Sequence, residues 1–158
     1  MSISKTVTKK LIEKNISIST MESCTSGLIA SSVTDTEGAS AIFRGGFISY
    51  TNEVKILLGV SSNVIEKFGV YSPECAEEMA KTAKKFFGTD IAVSITGTTG
   101  NIDPNNPNGI LGEAYFCIIY GDEIFNYRIK KVTSHKSRQK IKEMYVEEVF
   151  NCLEKIIG

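Results

Sequence analysis

The sequence predicts an α/β fold: a three-layer α/β/α sandwich around a mixed, mainly parallel sheet. Three observations carry that prediction. Short strand-like segments (Ile16–Met21, Gly46–Thr51, Ile91–Ile95) alternate with segments of helical spacing, the order that builds parallel strands joined by crossover helices. Ile91-Ala92-Val93-Ser94-Ile95 is a strand of the buried type. Two adjacent runs, Glu113–Tyr120 and Glu123–Lys131, flank Gly121-Asp122 and read as a hairpin, which makes the sheet mixed.

The elements follow in order. A helix-like segment, Ser4–Lys14, opens the chain. Ile16 and Ile18 then alternate with Ser17 and Ser19, the pattern of a half-buried strand. Leu28, Ile29, Ala30 and Val33 recur at helical spacing within a helix over Cys24–Thr34. After a turn at Glu37-Gly38-Ala39-Ser40, the second strand ends in Tyr50, and Thr51 or Asn52 caps a helix carrying Lys55 near its first turn. Ser61-Ser62-Asn63 caps a short helix, Val64–Phe68. Ser72-Pro73-Glu74 opens a longer one, with a serine cap, proline at the first helical position and an acid in the first turn; it stops at Gly88. Thr96–Gly109 is a polar loop rich in Gly, Asn and Pro. Ser134 caps a last helix with Ile141, Met144, Tyr145, Val149 and Leu153 on one face.

Composition narrows the class. The 158 residues suit one domain, 1–158, with a single continuous core. Lys and Arg balance Asp and Glu, so no global field calls for nucleic acid or an acidic membrane. No apolar run is long enough to span a bilayer, and Met1–Lys10 lacks an apolar signal core, which points to the cytoplasm. Cys24, Cys75, Cys117 and Cys152 form no CxxC pair, so a structural zinc site is not expected. His135 is the sole histidine, which removes a multi-histidine metal site. The basic run from Arg128 to Lys142 reads as a solvated helix face with some attraction for phosphate.

Three segments carry chemistry. In Glu22-Ser23-Cys24-Thr25-Ser26-Gly27 a serine stands where a strand gives way to a helix, near amides that favour a developing oxyanion. Ser23 reads either as a helix cap or as a nucleophile, and Cys24, beside the same helix terminus, is the alternative nucleophile. Tyr50 and Lys55 leave the end of another strand. A lysine desolvated at the positive end of a helix has a lowered pKa and can accept a proton from a serine hydroxyl; a solvated surface lysine is the plain alternative. Thr96-Gly97-Thr98-Thr99-Gly100 follows the buried strand and offers amides and hydroxyls suited to an anion. It lacks the Walker ending, and Pro104 and Pro107 prevent the immediate helix of a dinucleotide fingerprint.

Taken together, Glu22–Gly27, Gly45-Gly46-Phe47-Ile48-Ser49-Tyr50-Thr51-Asn52-Glu53-Val54-Lys55, Val70-Tyr71-Ser72 and Ser94–Gly100 resemble the CinA C-terminal domain family. That family includes stand-alone nicotinamide-nucleotide amidohydrolases. The resemblance covers nearly the whole chain, and the conjunction of the first two motifs is its specific part. It implies hydrolysis of the carboxamide of nicotinamide mononucleotide to nicotinate mononucleotide and ammonia. It implies Ser23 as nucleophile, Lys55 as base and Tyr50 as its aid, with no cofactor or metal. Substrate-binding positions are expected at Cys24, Thr25, Ser26, Gly27 and Gly46 and along Thr96, Gly97, Thr98, Thr99 and Gly100. Amides around Thr25 to Gly27 are expected to hold the oxyanion, and the protein is expected to be a homodimer that binds neither nucleic acid nor membrane.

The chain departs from the family pattern at three places. Ser26 replaces a glycine, which matters if that position needs a positive φ. The loop Asn101–Gly112 lacks the usual proline after Gly100 and a later lysine. Ser134-His135-Lys136 stands where the family tends to read Gly-Asp-Arg. Two other readings therefore stay open: a nucleotide-binding module with weakened turnover, and a regulatory protein linked to competence or DNA damage.

Overall fold

The computed structural model describes residues 1–131 and 133–158. Its elements are α1 (Ile3–Lys14), β1 (Ile18–Glu22), α2 (Leu28–Thr34), β2 (Phe43–Ile48), α3 (Asn52–Leu58), α4 (Ser62–Phe68), α5 (Pro73–Phe87), β3 (Ile91–Gly97), β4 (Glu113–Tyr120), β5 (Glu123–Lys130) and α6 (Arg138–Ile157), with a 3-10 turn at Ala39–Ala41. The sheet order is β2-β1-β3-β4-β5. β1 runs parallel to β2 and β3, whereas β3, β4 and β5 pair antiparallel, so the sheet is mixed as predicted.

Helices cover both faces. On one side Leu11 of α1, Ile29 and Val33 of α2, and Tyr145, Val149 and Phe150 of α6 bury the Ile18, Val93, Ile95 and Phe116 face. Each such apolar side chain contributes about 1.5–3 kcal/mol when fully buried. On the other side Cys75, Met79 and Ala83 of α5 pack on Met21 and Ala92, while Ala76 and Ala80 meet Cys117 and Ile119. The small residues of α5 let its backbone lie close to the strands.

Several boundaries differ from the sequence expectation, each for a physical reason. β1 is buried along its whole length rather than half-buried. It lies between β2 and β3 with helices on both faces, and its polar residues are small or bonded: Ser19 Oγ lies 2.7 Å from Thr89 Oγ1. β2 ends at Ile48, before Ser49 and Tyr50. α2 begins at Leu28, not Cys24, because Ser26 (φ 50°) and Gly27 (φ 94°) adopt left-handed conformations that no helix continues through. Ser137, not Ser134, caps α6 by accepting from the Lys140 amide at 3.1 Å.

The topology creates one crevice. Glu22 is in register with both Ile48 and Ile95, so the chain leaves β1, β2 and β3 at the same edge of the sheet. The crossover through α2 lies on one face and that through α5 on the other. Loops after β1 and β2 therefore diverge to opposite faces and leave a cleft at the carboxyl ends of the strands. Among the described residues, no helix is long and apolar enough to cross a membrane.

Candidate active site

Ser23 is the first residue beyond β1, and its amide continues the ladder by donating to the Ile95 carbonyl at 3.1 Å. The turn that follows has an unusual cap. α1, α3, α4, α5 and α6 all begin with a Ser or Thr oxygen accepting a helix amide. α2 has Gly27 there and no such bond. Its free amides turn back to the fully buried Glu22 instead. The Glu22 carboxylate accepts from the Ile29 amide at 2.9 Å, the Ala30 amide at 3.0 Å and the Thr25 hydroxyl at 2.6 Å. The positive end of α2 is thereby neutralised from within the protein.

Lys55 approaches from α3. Thr51 caps that helix by accepting the Val54 amide at 3.2 Å, and this sets the first turn so that Lys55 points inward. Its side chain is 1% exposed. The ammonium nitrogen lies 3.0 Å from Ser23 Oγ, 2.7 Å from the Ser49 carbonyl and 3.5 Å from the Tyr50 carbonyl. All three partners are uncharged. Burial lowers the Lys55 pKa, and the carboxylate of Asp103 opposes this weakly. Nζ donates to Ser23 Oγ and to both carbonyls, and the absence of a charged partner within hydrogen-bond reach among the described residues agrees with burial favouring the neutral amine.

A cavity of about 60 Å³ lies over this pair. Of the residues expected there, Ser23, Cys24, Tyr50, Lys55, Gly97, Thr98 and Thr99 line it. The others have different places. Gly46 sits inside β2, where a Cβ would fall 2.1 Å from Thr20 Oγ1; it is a close-packing glycine between two strands. Thr96 is buried in β3 and donates to the Val70 carbonyl at 2.9 Å. Thr25 serves Glu22, Ser26 and Gly27 form the left-handed turn, and Gly100 packs under Arg138, whose Cγ would lie 3.0 Å from a Cβ there.

The threonine loop is not an open anion nest. The Thr98 amide and hydroxyl are spent on the Glu113 and Ile110 carbonyls, and its carbonyl accepts from Tyr145 Oη at 2.7 Å. Thr99 keeps its hydroxyl without a protein partner among the described residues. The expected oxyanion donors also change. The Ser26 amide is bound to the Ser23 carbonyl at 3.1 Å and the Leu28 amide to the Thr25 carbonyl at 3.1 Å. The amides of Cys24 and Thr25 donate to no neighbouring residue among those described. Tyr50 presents its main chain to Lys55, while its phenol, 56% exposed, accepts from Arg138 Nη2 at 3.3 Å.

The Cys24 thiol is held in its protonated form. Burial and the neighbouring Glu22 push it up to about 12, against a smaller opposing effect from Lys55. Tyr71, Asn101, Asp103, Asn106 and Arg138 also line the cavity; the sequence reading placed Arg138 only in a basic run with some attraction for phosphate and named none of the others as site residues. Tyr71 had a signal in the Val70-Tyr71-Ser72 motif. The others reach the cavity through contacts distant in sequence: Asn106 and Asn52 exchange amide hydrogen bonds of 3.0 and 3.2 Å, and Arg138 reaches Asn101. Beside the cavity, Cys24, Ser26, Tyr50, Arg138, Gln139 and Lys142 line a second, basic groove.

The chain matches the CinA C-terminal domain model over residues 1–157. A CinA-like protein from Leptospira borgpetersenii is 47% identical over 111 residues, covering 70% of this chain and 26% of that protein. One from Chlorobium limicola is 37% identical over 165 residues, covering 99% and 38%. The chain thus spans between a quarter and two-fifths of the length of these relatives. The competence/damage inducible protein CihA of Agrobacterium tumefaciens superposes with a TM-score of 0.87 at 26% identity, over 99% of this chain and 94% of that one. A CinA superfamily protein from Enterobacter cloacae reaches 0.88 at 22%, over 100% and 94%, a likeness of fold. By sequence and by fold, this chain belongs to the CinA C-terminal domain family.

Proposed function

We propose that this site hydrolyses the carboxamide of nicotinamide mononucleotide, giving nicotinate mononucleotide and ammonia. The observation that carries the reading is the 3.0 Å approach of a buried lysine, held by neutral partners alone, to the Ser23 hydroxyl. Ser23 Oγ attacks the carboxamide carbon while its proton passes to Lys55 Nζ. The oxyanion that forms is met by the amides of Cys24 and Thr25, each such donor being worth roughly 3 kcal/mol. Lys55 then returns the proton to the departing nitrogen, which leaves as ammonia. A water, deprotonated by the same amine, hydrolyses the acyl-serine and frees the carboxylate.

Size and charge support a nucleotide amide. A cavity of about 60 Å³ suits the amide-bearing end of a nucleotide and not the whole of it. The ribosyl phosphate would lie in the adjoining groove, where Arg138 and Lys142 stand on the first turns of α6. Arg138 is the more telling of the two, since it borders both spaces. The test is ammonia release from nicotinamide mononucleotide, compared with free nicotinamide and with the riboside. Release that needs Ser23 and falls when the phosphate is absent is the expected result. A second reading, binding without turnover, draws on the strap over the cavity that the Asn52–Asn106 pair fastens. Tight binding with no ammonia would establish it in place of the first.

A further inference from the structure

We propose that Asp103 makes this site selective for amides on a positively charged pyridinium ring over the same amides on a neutral ring. The proposal rests on the amide-hydrolysis reading and names the substrate class it favours. Asp103 lines the cavity together with Lys55, Tyr50 and Tyr71. Its carboxylate is fixed there: Oδ1 accepts the Asn105 amide at 2.9 Å and Oδ2 accepts Asn106 Nδ2 at 3.0 Å. Asn106 is in turn bound to Asn52, at the start of the helix that carries Lys55. The acid and the base are therefore held to the same support.

That placement works against the chemistry unless a cation enters. A carboxylate in the wall favours the protonated form of Lys55, whereas proton abstraction needs the neutral form. It also repels an anionic nucleotide. No ion pair within the described residues involves Asp103; those present join Lys10 to Glu154, Lys81 to Glu77 and Arg128 to Glu113. Arg138, the other cation on the cavity wall, is engaged with Tyr50 and Asn101. A cationic ligand would supply the charge that faces Asp103.

A pyridine-3-carboxamide alkylated or ribosylated on its ring nitrogen supplies it. The ring is a cation, and the cavity wall offers it a carboxylate and two aromatic side chains, Tyr50 and Tyr71, of a type that can make cation–π contact. The Tyr71 ring is backed by Gly109, where a Cβ would come within 2.7 Å of its edge, so the strap and the aromatic wall fit only with glycine there. With the ring bound, its positive charge offsets Asp103 and helps keep Lys55 neutral. Hydrolysis then turns the amide into a carboxylate in the same space as Asp103, and repulsion favours its release.

The experiment compares nicotinamide mononucleotide with its 1,4-dihydro form, which keeps the carboxamide and the ribosyl phosphate and has a neutral ring. Dissociation constants are measured by calorimetry in the Ser23→Ala background, and kcat/KM with Ser23 intact. The charged ring is expected to be preferred, and Asp103→Asn is expected to cut that preference about tenfold. The same substitution should tighten inhibition by nicotinate mononucleotide. Asp103→Glu should retain the preference. Asp103→Ser, which can still accept a main-chain bond, replaces Asp103→Asn if the latter misfolds. A preference unchanged within twofold in either folded neutral variant overturns the proposal, as does failure to bind either ring. Binding with the predicted preference but no ammonia release overturns the hydrolase reading and leaves the Asp103 assignment standing.

Discussion

Replacing Glu22 by glutamine should cost about 3 kcal/mol of stability, and the number follows from its contacts. The carboxylate accepts three hydrogen bonds in a fully buried position, two of them from the first amides of α2. A glutamine oxygen in the place of Oε1 still accepts from Thr25 and Ile29, but as a neutral group, which weakens each bond by about 1 kcal/mol. Its NH2 then faces the Ala30 amide, donor against donor, and that buried orphan costs about 1–3 kcal/mol. Flipping the amide exposes two donors to the NH2 and is worse. Part of the total returns because a charge no longer has to be desolvated. For a chain of this size, about 3 kcal/mol lowers Tm by about 6–12 °C. Thermal unfolding of wild type and Glu22→Gln measures this directly. Turnover assayed well below both transitions should also fall at least tenfold, because the turn that aims Ser23 loses its anchor. A Tm within 2 °C of wild type would show that α2 is capped by something else and refute the reasoning.

Three further outcomes follow from the geometry. Burial holds the Lys55 pKa below its ordinary 10.5, so kcat/KM should rise with pH through that lowered value; the unfolded chain then binds more protons between the two pKa values, stability climbs across that interval, and Lys55→Met should flatten the climb while abolishing turnover. Ser23→Ala should lose at least about 10³-fold in kcat, whereas Cys24→Ala keeps most of it and the native Cys24 thiol, held near 12, resists alkylation at neutral pH. Ser26→Gly should stabilise by about 0.5 kcal/mol in urea titrations: relief of the left-handed serine, about 1–2 kcal/mol, exceeds the added entropy of unfolded glycine, about 0.5–1 kcal/mol.

The parts legible in the sequence are those that local rules determine. Ser72-Pro73 and Gly88 bound α5 where capping chemistry puts them, and Gly121-Asp122 joins a hairpin of the expected extent. The Ser23–Lys55 pairing was reachable because both residues follow parallel strands that end at one edge. The start of α2 was not, because a buried acid six residues before the first helical position does the work of a local cap. The long-range side of the cavity was hidden for the same reason. Asn52 and Asn106 are 54 positions apart, and nothing in either neighbourhood announces the other. The Ile-Ser alternation before β1 was misleading in a specific way: with both faces covered, small hydroxylated residues alternate with isoleucine just as they do on an exposed face.

The site depends on a separation of one residue. Glu22 and Ser23 are neighbours, yet successive side chains along a strand leave on opposite faces. Glu22 turns towards α2, where three donors occupy it, and Ser23 turns towards Lys55 on α3. Had the acid stood one position later, its carboxylate would face the buried amine. The two would pair, Lys55 would stay protonated, and no base would remain for a hydroxyl. The pleat instead gives each ionisable group partners suited to it, a hydroxyl and helix amides for the carboxylate and neutral oxygens for the amine. A register shift in β1 would therefore separate Ser23 from Lys55 without altering a single residue of the site, so the buried pairing of β1 with β2 and β3 fixes this geometry as firmly as the side chains themselves.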